Sequence, residues 1–215
     1  CGECQEVCAY EAIEIIGEEV SLSDVMREVD KDRIFYEDSG GGVTFSGGEP
    51  LMQPEFLEAL VEGCLKKNIP VTVDTCGHAS SDIIDKMGEK VPLFLYDLKI
   101  IDEERHKMYT GTSNKIILKN LRALTTKGKD IVVRIPLIEG INDDEENIRQ
   151  TAEFLLSLKG VKNIHLLPFH KGGLEKYRRL KRKTPSSAFQ PTSPEKTERM
   201  KRMLEGFGFS VKVGG

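Results

Sequence analysis

The sequence lacks a long apolar run, an excess of basic residues and a visible export signal. Its most apolar stretch, residues 91–101, already contains Asp97 and Lys99 and falls short of the roughly 20 apolar residues that a membrane-spanning helix needs. A formal net charge of −4 provides no basic domain of the kind that binds nucleic acid. We therefore expect a cytoplasmic protein that binds neither membrane nor nucleic acid.

Cysteine is scarce except at the start of the chain, where three of the five cysteines fall within the first eight residues. In a reducing compartment this clustering favours metal or redox chemistry over disulfides. The sequence opens with Cys1 instead of methionine, so we expect a fragment whose natural N-terminus lies upstream. Its 215 residues, 39% hydrophobic and 31% charged, suffice for one substantial soluble core.

Short apolar runs alternate with segments of helical periodicity from residue 21 onward. The predicted strands are 43–45, 70–73, 93–96, 131–135, 164–167 and 209–213, and the predicted helices are 23–32, 54–67, 81–88, 114–127, 143–158 and 194–207. Strict alternation predicts right-handed βαβ units, with a parallel sheet buried on both faces. Six strands are too few for a closed eight-stranded barrel. The α/β fold is therefore expected to be an open or partial barrel, with a doubly wound sheet as the alternative.

A glycine-rich loop follows the first predicted strand, with the sequence Ser46-Gly47-Gly48-Glu49-Pro50. Glycine lets the main chain come close to a ligand, and Glu49 adds an anion at the carboxyl end of the strand. Such a loop can offer carbonyls and a carboxylate to an ammonium group. It lacks the Lys-Ser/Thr pair of a triphosphate-binding loop. The alternative is a plain turn between a strand and a helix.

Polar residues also follow the other predicted strands. They include Asp74, Thr75, Asp97, Lys99, Arg134, Asn142 and His170. The carboxyl ends of parallel strands in an α/β barrel deliver side chains to one face, so these residues predict a pocket for a polar, zwitterionic ligand. Taken singly, a lysine such as Lys99 or an arginine such as Arg134 at a strand end is more often a solvated charge, and a lone histidine such as His170 is more often structural. Their joint placement favours the pocket.

The first cysteines, Cys1, Cys4 and Cys8, form a C-x2-C-x3-C spacing. This matches the last three positions of the bacterial ferredoxin pattern whose thiolates bind a [4Fe–4S] cluster. Ala9 stands where proline usually follows. A zinc site is the rival interpretation, but it fits poorly without a fourth cysteine or a nearby histidine.

In combination, these motifs resemble the activating enzymes of glycyl-radical enzymes, a branch of the radical S-adenosylmethionine (SAM) superfamily. The resemblance is strongest to relatives of the pyruvate formate-lyase activating enzyme that carry a ferredoxin-type insert. It covers essentially the whole chain. The residues that carry it are Tyr36, Ser39 to Pro50, Asp74-Thr75-Cys76-Gly77, Asp97-Leu98-Lys99, Thr110-Gly111, Arg134-Ile135-Pro136, Gly140-Ile141-Asn142, Leu167-Pro168-Phe169-His170, Gly173, Lys176, Tyr177, Leu180 and Gly214-Gly215.

The resemblance implies a partial (β/α)6 radical SAM barrel over residues 21–215 and a remnant of a ferredoxin-like [4Fe–4S] segment over 1–20. The C-x3-C-x2-C loop that binds the SAM-cleaving cluster in this family is absent from the 215 residues and is expected upstream, with the first barrel strand. Cys64 and Cys76 do not replace it. Cys64 is expected to be a core thiol, and Cys76 a small residue in a turn.

The implied chemistry is reductive cleavage of SAM at a [4Fe–4S] cluster, which yields a 5′-deoxyadenosyl radical that generates a glycyl radical on a partner enzyme. Within the motif matches, Gly47, Gly48 and Glu49 would hold the amino group of SAM, and Lys99 would bind its carboxylate. The other implied cofactor contacts are Asp74 and Thr75 near the methionine, beside a monovalent cation, Asp97 and Leu98 along the cofactor, and Arg134, Asn142 and His170 at the ribose, carboxylate or methionine.

Cys1, Cys4 and Cys8 would bind an accessory cluster that relays electrons or stabilises the fold. The implied partners are a glycyl-radical enzyme and a flavodoxin or ferredoxin-type reductant, and we expect a monomer. The fragment is expected to hold little or no iron and to be inactive alone. The basic run 178–183 is either a solvated surface or a dock for an acidic partner.

Two other functions stay open. The first is a radical SAM enzyme that acts on a small molecule or on another peptide. The second is a ferredoxin-like electron-transfer module, against which the polar strand-end pocket argues, because an electron carrier has no use for one.

Overall fold

A computed structural model describes residues 3–10, 12, 17–170 and 189–214. Within these residues the core is a six-stranded sheet in which every neighbouring pair of strands is parallel. The strands are β1 Val43–Phe45, β2 Val71–Thr75, β3 Leu93–Asp97, β4 Asp130–Leu137, β5 Asn163–Pro168 and β6 Ser210–Val213. All six correspond to predicted strands.

The strand order decides between the two predicted architectures. It runs from β1 to β6 in sequence order, with no reversal. A doubly wound sheet reverses direction at a switch point, so that alternative is wrong. Among the described residues β1 and β6 are the edges of the sheet, as expected of an open or partial barrel.

Helices connect successive strands, and all six predicted helices are present. The helices are α1 Glu3–Glu6, α2 Leu22–Lys31, α3 Arg33–Ser39, α4 Pro54–Lys66, α5 Ser81–Lys90, α6 Glu103–Thr110, α7 Lys115–Thr126, α8 Glu145–Leu156 and α9 Pro194–Gly206, and Pro50–Met52 forms a 3₁₀ turn. In the described part of the chain we find no helix with the length and apolarity to span a bilayer.

Two helices between residues 33 and 110 were not predicted, because neither carries an apolar stripe. Helix α3 buries none of its side chains, and Ile34 and Phe35 are exposed. Helix α6 buries only His106 and exposes Met108. Periodicity identifies helices through their buried faces, so these two leave no such signal in the sequence.

The sheet is fully buried on one face only, which corrects the expectation of burial on both. In β2, Val71, Val73 and Thr75 are buried, whereas Thr72 and Asp74 are half-buried. The buried strand residues join the helix stripes in one hydrophobic cluster, including Leu60 and Cys64 of α4, Leu121 of α7 and Ile148 of α8. The opposite face carries half-buried polar residues, which include Asp74, Asp97, Arg134 and His165.

The start of α8 departs from the prediction. Asp144, and not Asp143, caps the helix, since its side chain accepts a hydrogen bond from the main-chain N–H of Asn147 at 3.0 Å. Asp143 is 1% exposed. Its carboxylate accepts a hydrogen bond from Thr192 at 3.0 Å and pairs with Lys196 of α9 at 2.9 Å. A buried carboxylate requires such partners, so Asp143 ties the loop after β4 to the C-terminal segment.

The turn after β2 packs directly against Tyr96 of β3. Gly77 has a φ of 70°, and a Cβ added there would lie 1.7 Å from the Tyr96 hydroxyl oxygen. Tyr96 is fully buried and donates a hydrogen bond to the main-chain oxygen of Ile117 at 2.7 Å. Both the backbone conformation and the contact therefore require glycine at this position.

The two cysteines of the core region behave as predicted small residues. Cys64 is fully buried on α4. Cys76 is half-buried in the turn after β2, where its main-chain N–H donates to Glu49 at 2.9 Å. Burial, followed by a hydrogen bond with Glu49, raises the pKa of the Cys76 thiol to about 11. A neutral, unreactive thiol follows, because only the thiolate is a good nucleophile.

We predict that Gly77→Ala will lower the free energy of unfolding by about 4 kcal/mol or more, since it adds a clash with Tyr96 to an unfavourable φ. Gly128→Ala is the matched control, because Gly128 has the same φ of 70° with no atom within 4 Å of an added Cβ. That control should cost only about 1–2 kcal/mol. Urea unfolding followed by circular dichroism measures both, and equal losses would contradict the packing argument.

We also predict slow alkylation of Cys76 below pH 9. The folded pKa of about 11 lies above the reference value of 9.0, so the native state keeps its proton and loses stability from this group as the pH rises from 9 to 11. Iodoacetamide labelling, quantified by mass spectrometry, should still accelerate with pH at about pH 11 in the folded chain, because the thiolate is then only half formed. In the urea-unfolded chain it should level off above about pH 10. Identical pH profiles would show that the thiol is not shielded.

Candidate functional site

The polar residues predicted from the sequence lie at the carboxyl ends of the strands. Glu49 follows β1, Thr75 and Asp97 are the last residues of β2 and β3, and His170 follows β5 by two residues. Lys99 follows β3 by two residues. Because the strands are parallel and adjacent in sequence order, these positions share the carboxyl rim, where α/β barrels carry their active sites.

Glu49 joins the first two loops of the rim. Its carboxylate accepts hydrogen bonds from the hydroxyl of Thr75 at 2.6 Å and from the main-chain N–H of Cys76 at 2.9 Å. It also caps the 3₁₀ turn through the N–H of Leu51 at 3.2 Å. Together with the Cys76 thiol, these three donors fix the direction of the carboxylate before any ligand binds.

The two glycines before Glu49 are exposed, as the predicted ligand-binding loop requires. Gly47 has a φ of 138°, which side-chain-bearing residues rarely adopt, and a Cβ added at either Gly47 or Gly48 would meet no atom within 4 Å. The space beside these glycines is open, so a ligand can approach the main chain closely.

Arg134 bridges two carboxylates from neighbouring strands. Its Nε donates to Asp97 at 2.9 Å, and its Nη2 donates to Asp74. Asp74 also accepts a hydrogen bond from Ser46 at 3.0 Å, which connects the glycine loop to the same set of charges. The three charged side chains are each about four-fifths buried, so their pairing is little screened by solvent.

Burial raises the pKa of Asp97, while the nearby charges of Arg134 and Lys99 oppose that rise and the charge of Asp74 adds to it. Lys99 lies 4.0 Å from Asp97, and 41% of its side chain is exposed. This distance is too long for a hydrogen bond. Among the described residues, the ammonium of Lys99 therefore has no hydrogen-bonded partner at the rim.

Three of the predicted contact residues have their polar atoms engaged within the protein. Thr75 is 2% exposed and links Glu49 to the N–H of Gly77. Asn142 is 2% exposed and donates to the main-chain oxygens of Lys99 at 2.8 Å and Pro136 at 2.6 Å. The guanidinium of Arg134 is shared between two aspartates, as described above. These three side chains therefore stabilise the loops of the rim through contacts within the protein.

Leu98 is 4% exposed and contributes to the core, whereas His170 is exposed at the rim. The sequence reasoning missed Asn114 and Asn147, both buried residues whose amides contact the loop after β3. The available signal was a pair of asparagines at the predicted starts of two helices, next to apolar residues. Asparagine is so common at helix starts that this signal did not distinguish them.

The assignment of Cys1, Cys4 and Cys8 to a cluster stays a prediction. Cys1 lies outside the described residues, as does the basic run 178–183. Cys4 is exposed, and Cys8 is half-buried and accepts a hydrogen bond from the N–H of Ala12 at 3.3 Å. Within the described ranges no group of three or more histidine, cysteine, aspartate or glutamate side chains could hold a metal ion. These residues alone do not fit an iron–sulfur cluster.

The rim does fit the amino-acid end of SAM. Glu49, with its fixed carboxylate beside open glycines, suits an ammonium group, and Lys99 suits a carboxylate. Counting Glu49, Asp74 and Asp97 against Arg134 and Lys99, the rim carries three acids and two bases. It therefore holds both signs of charge, as a zwitterion requires.

Comparison with known proteins gives the family. The model of the radical SAM superfamily matches residues 7–155. The chain is 44% identical over 207 residues to the trans-4-hydroxy-L-proline dehydratase activating enzyme of Clostridioides difficile, covering 95% of this chain and 68% of that protein. It is 35% identical to the pyruvate formate-lyase 2-activating enzyme of Escherichia coli, covering 100% of this chain and 74% of that protein.

The structural comparison agrees. A domain of pyruvate-formate lyase-activating enzyme from Bacteroides vulgatus superimposes with a TM-score of 0.68 at 36% identity, covering 81% of this chain and 99% of that domain. The chain is also 38% identical to the choline trimethylamine-lyase activating enzyme of Oleidesulfovibrio alaskensis over 94% of its own length. These relatives are longer than the chain, which spans 68% of the Clostridioides difficile protein and 66% of the Oleidesulfovibrio alaskensis protein. The chain belongs to the radical SAM superfamily, within the activating enzymes of glycyl-radical enzymes.

Proposed function

We propose that the carboxyl rim of this sheet binds SAM and that the whole enzyme uses it to generate a glycyl radical on a partner enzyme. The observation that carries the proposal is that the rim of a radical SAM fold presents two opposite charges. Hydrogen bonds hold the carboxylate of Glu49 in place, and the ammonium of Lys99 has no hydrogen-bonded partner among the described residues. SAM bound at a reduced [4Fe–4S] cluster supplies the hydrogen-abstracting chemistry in this family.

The protein's own contribution at this rim is orientation. The carbonyls of Gly47 and Gly48 and the carboxylate of Glu49 would receive the amino group of SAM, and Lys99 would bind its carboxylate. Two charged anchors at opposite ends of one amino-acid group fix both its position and its direction. A fixed direction matters because catalysis requires the reacting bond to be held near its reactive geometry.

Arg134, Asp74 and Asp97 would form a set of paired charges beside the ligand that is already in place before the ligand binds. The positive charge of Arg134 opposes the rise in the pKa of Asp97 that burial causes and to which the charge of Asp74 adds. Asp97 keeps acceptor capacity for an ammonium or a ribose hydroxyl. Since the three side chains are paired before a ligand arrives, binding requires little rearrangement.

We propose the clusters, the reductant and the partner because the chain belongs to this family. The cysteines that bind the SAM-cleaving cluster would lie outside this chain, and Cys1, Cys4 and Cys8 would belong to an accessory cluster in residues 1–20. Residues 21–215 would form the partial barrel. A low-potential flavodoxin or ferredoxin would supply the electron. The partner would be a glycyl-radical enzyme, the class whose activating enzymes are this chain's relatives.

The proposed activity predicts two products. The enzyme, expressed from its natural start codon and reconstituted anaerobically with iron and sulfide, should release 5′-deoxyadenosine from SAM after reduction. With the partner encoded beside it, the reaction should also give the doublet of a glycyl radical in electron paramagnetic resonance. No 5′-deoxyadenosine from protein with a verified cluster would refute the proposal. Deoxyadenosine without a glycyl signal on any neighbouring partner would favour a small-molecule or other peptide substrate.

The assignment of Lys99 predicts a loss of SAM affinity on neutral substitution. In the same reconstituted enzyme, Lys99→Met should raise the dissociation constant for SAM about ten-fold, because a charge-assisted contact is removed while the length of the side chain is kept. Lys119→Met on α7 is the control, since Lys119 is exposed and its ammonium contacts the hydroxyl of Ser81 instead of a rim residue. Isothermal titration calorimetry measures both. Equal affinities for wild type and Lys99→Met would remove Lys99 from the site.

A further inference from the structure

We infer that Asn114, Asn142 and Asn147 form an asparagine clamp that positions Lys99 for its ligand, so that Asn142 acts through Lys99 and not by touching SAM. The inference rests on the proposed function, because it takes Lys99 as a ligand-binding residue. It assigns a role to three residues, two of which no motif had singled out. The clamp consists of their side-chain amides and the main chain of residues 99–101.

Asn142 is the centre of the clamp. Its Nδ2 donates to the main-chain oxygen of Lys99 at 2.8 Å and to that of Pro136 at 2.6 Å. Its Oδ1 accepts a hydrogen bond from the N–H of Ile138 at 2.8 Å. The side chain is 2% exposed, so its polar atoms serve the protein and do not face the solvent. One amide thus connects the loop after β4 to the Lys99 peptide.

The other two asparagines hold the next two residues of the same loop. Asn147, at the start of α8, accepts from the N–H of Ile101 at 3.1 Å and donates to the main-chain oxygen of Asn142 at 3.0 Å. Asn114, before α7, donates to the main-chain oxygens of Ile100 at 3.0 Å and Ile101 at 2.7 Å. Both are about as buried as Asn142.

The loop needs this clamp because it has left the sheet. Residues after the end of β3 have lost their strand partners, and a buried carbonyl without a donor is costly. On one side the loop is still held by the N–H of Leu98, which donates to the main-chain oxygen of Arg134 at 2.9 Å. The amides supply donors on the other side. The result is a fixed Cα for Lys99 with a side chain that is 41% exposed.

The choice of amides also suits a site that depends on charge. An asparagine side chain donates and accepts without adding a net charge. A lysine or arginine in its place would add a cation within a few ångströms of Lys99 and compete for the same carboxylate. The clamp therefore fixes the loop after β3 without adding a cation that would compete with Lys99.

Asn120 is another buried asparagine whose side-chain amide bonds to main-chain oxygens, and it provides a matched control. It is 1% exposed and donates to the main-chain oxygens of Gly77 at 2.8 Å and Ala79 at 2.9 Å. Replacing it by alanine removes two buried amide hydrogen bonds from the turn after β2, whereas Asn142→Ala removes three. The loss of stability should be of the same order, but Asn120 has no contact with the main chain of Lys99.

The experiment is a double-mutant cycle on SAM affinity in the full-length, cluster-reconstituted enzyme. Lys99→Met, Asn142→Ala and the double variant are compared by calorimetry. Asn142→Ala should raise the dissociation constant about five-fold. The double variant should match Lys99→Met alone, because a misplaced lysine matters only while the lysine is present. In the Lys99→Met background, Asn120→Ala should keep whatever effect it has in the wild-type background.

The outcomes separate this inference from the proposed function. If Lys99→Met weakens binding but Asn142→Ala weakens it equally in both backgrounds, the clamp is merely structural and the inference is overturned while the function stands. If Lys99→Met has no effect, Lys99 is not a ligand-binding residue and the inference is overturned, whereas the proposed function is refuted separately by the absence of 5′-deoxyadenosine. Should Asn142→Ala not fold, Asn147→Ser replaces it, since it disturbs the contact to Ile101 and must show the same loss of effect in the Lys99→Met background.

Discussion

The ion pair of Arg134 with Asp74 and Asp97 is the interaction on which the rim depends. It joins the carboxyl ends of β2 and β3 to the middle of β4 on the half-buried face of the sheet, and Ser46 extends it to the loop after β1. Burial raises the pKa of Asp97, because a carboxylate at this depth is costly without a compensating charge. With the guanidinium between them, the acids stay close without a bound ligand, and the rim keeps a defined pattern of charge.

Much of the architecture could be predicted because alternating apolar runs and helical stripes depend on neighbours in sequence. The bounds of β1 were predicted to the residue, and α9 begins at Pro194 as expected. The rim position of Glu49 and Lys99 followed from the same pattern, since parallel strands leave no other place for residues that come after their carboxyl ends. Helices α3 and α6 were missed because they bury almost nothing.

What could not be predicted depends on residues far apart in the chain. Arg134 meets Asp74 across 60 positions, and no local pattern shows that its guanidinium is shared between two acids. Asn142 looked like a ligand contact, yet its amide is turned inward to the main chain of Lys99, 43 positions away.

The buried pair of Asp143 with Lys196 has a consequence for how this protein can be divided. Asp143 follows the clamp residue Asn142 directly, and in the described part of the chain it pairs with one cation, Lys196 of α9. Residues 189–214 are therefore an integral part of the barrel and not an appendage that can be deleted. A split-protein design cut between residues 170 and 189 would leave an uncompensated buried anion beside the Lys99 loop in the larger half.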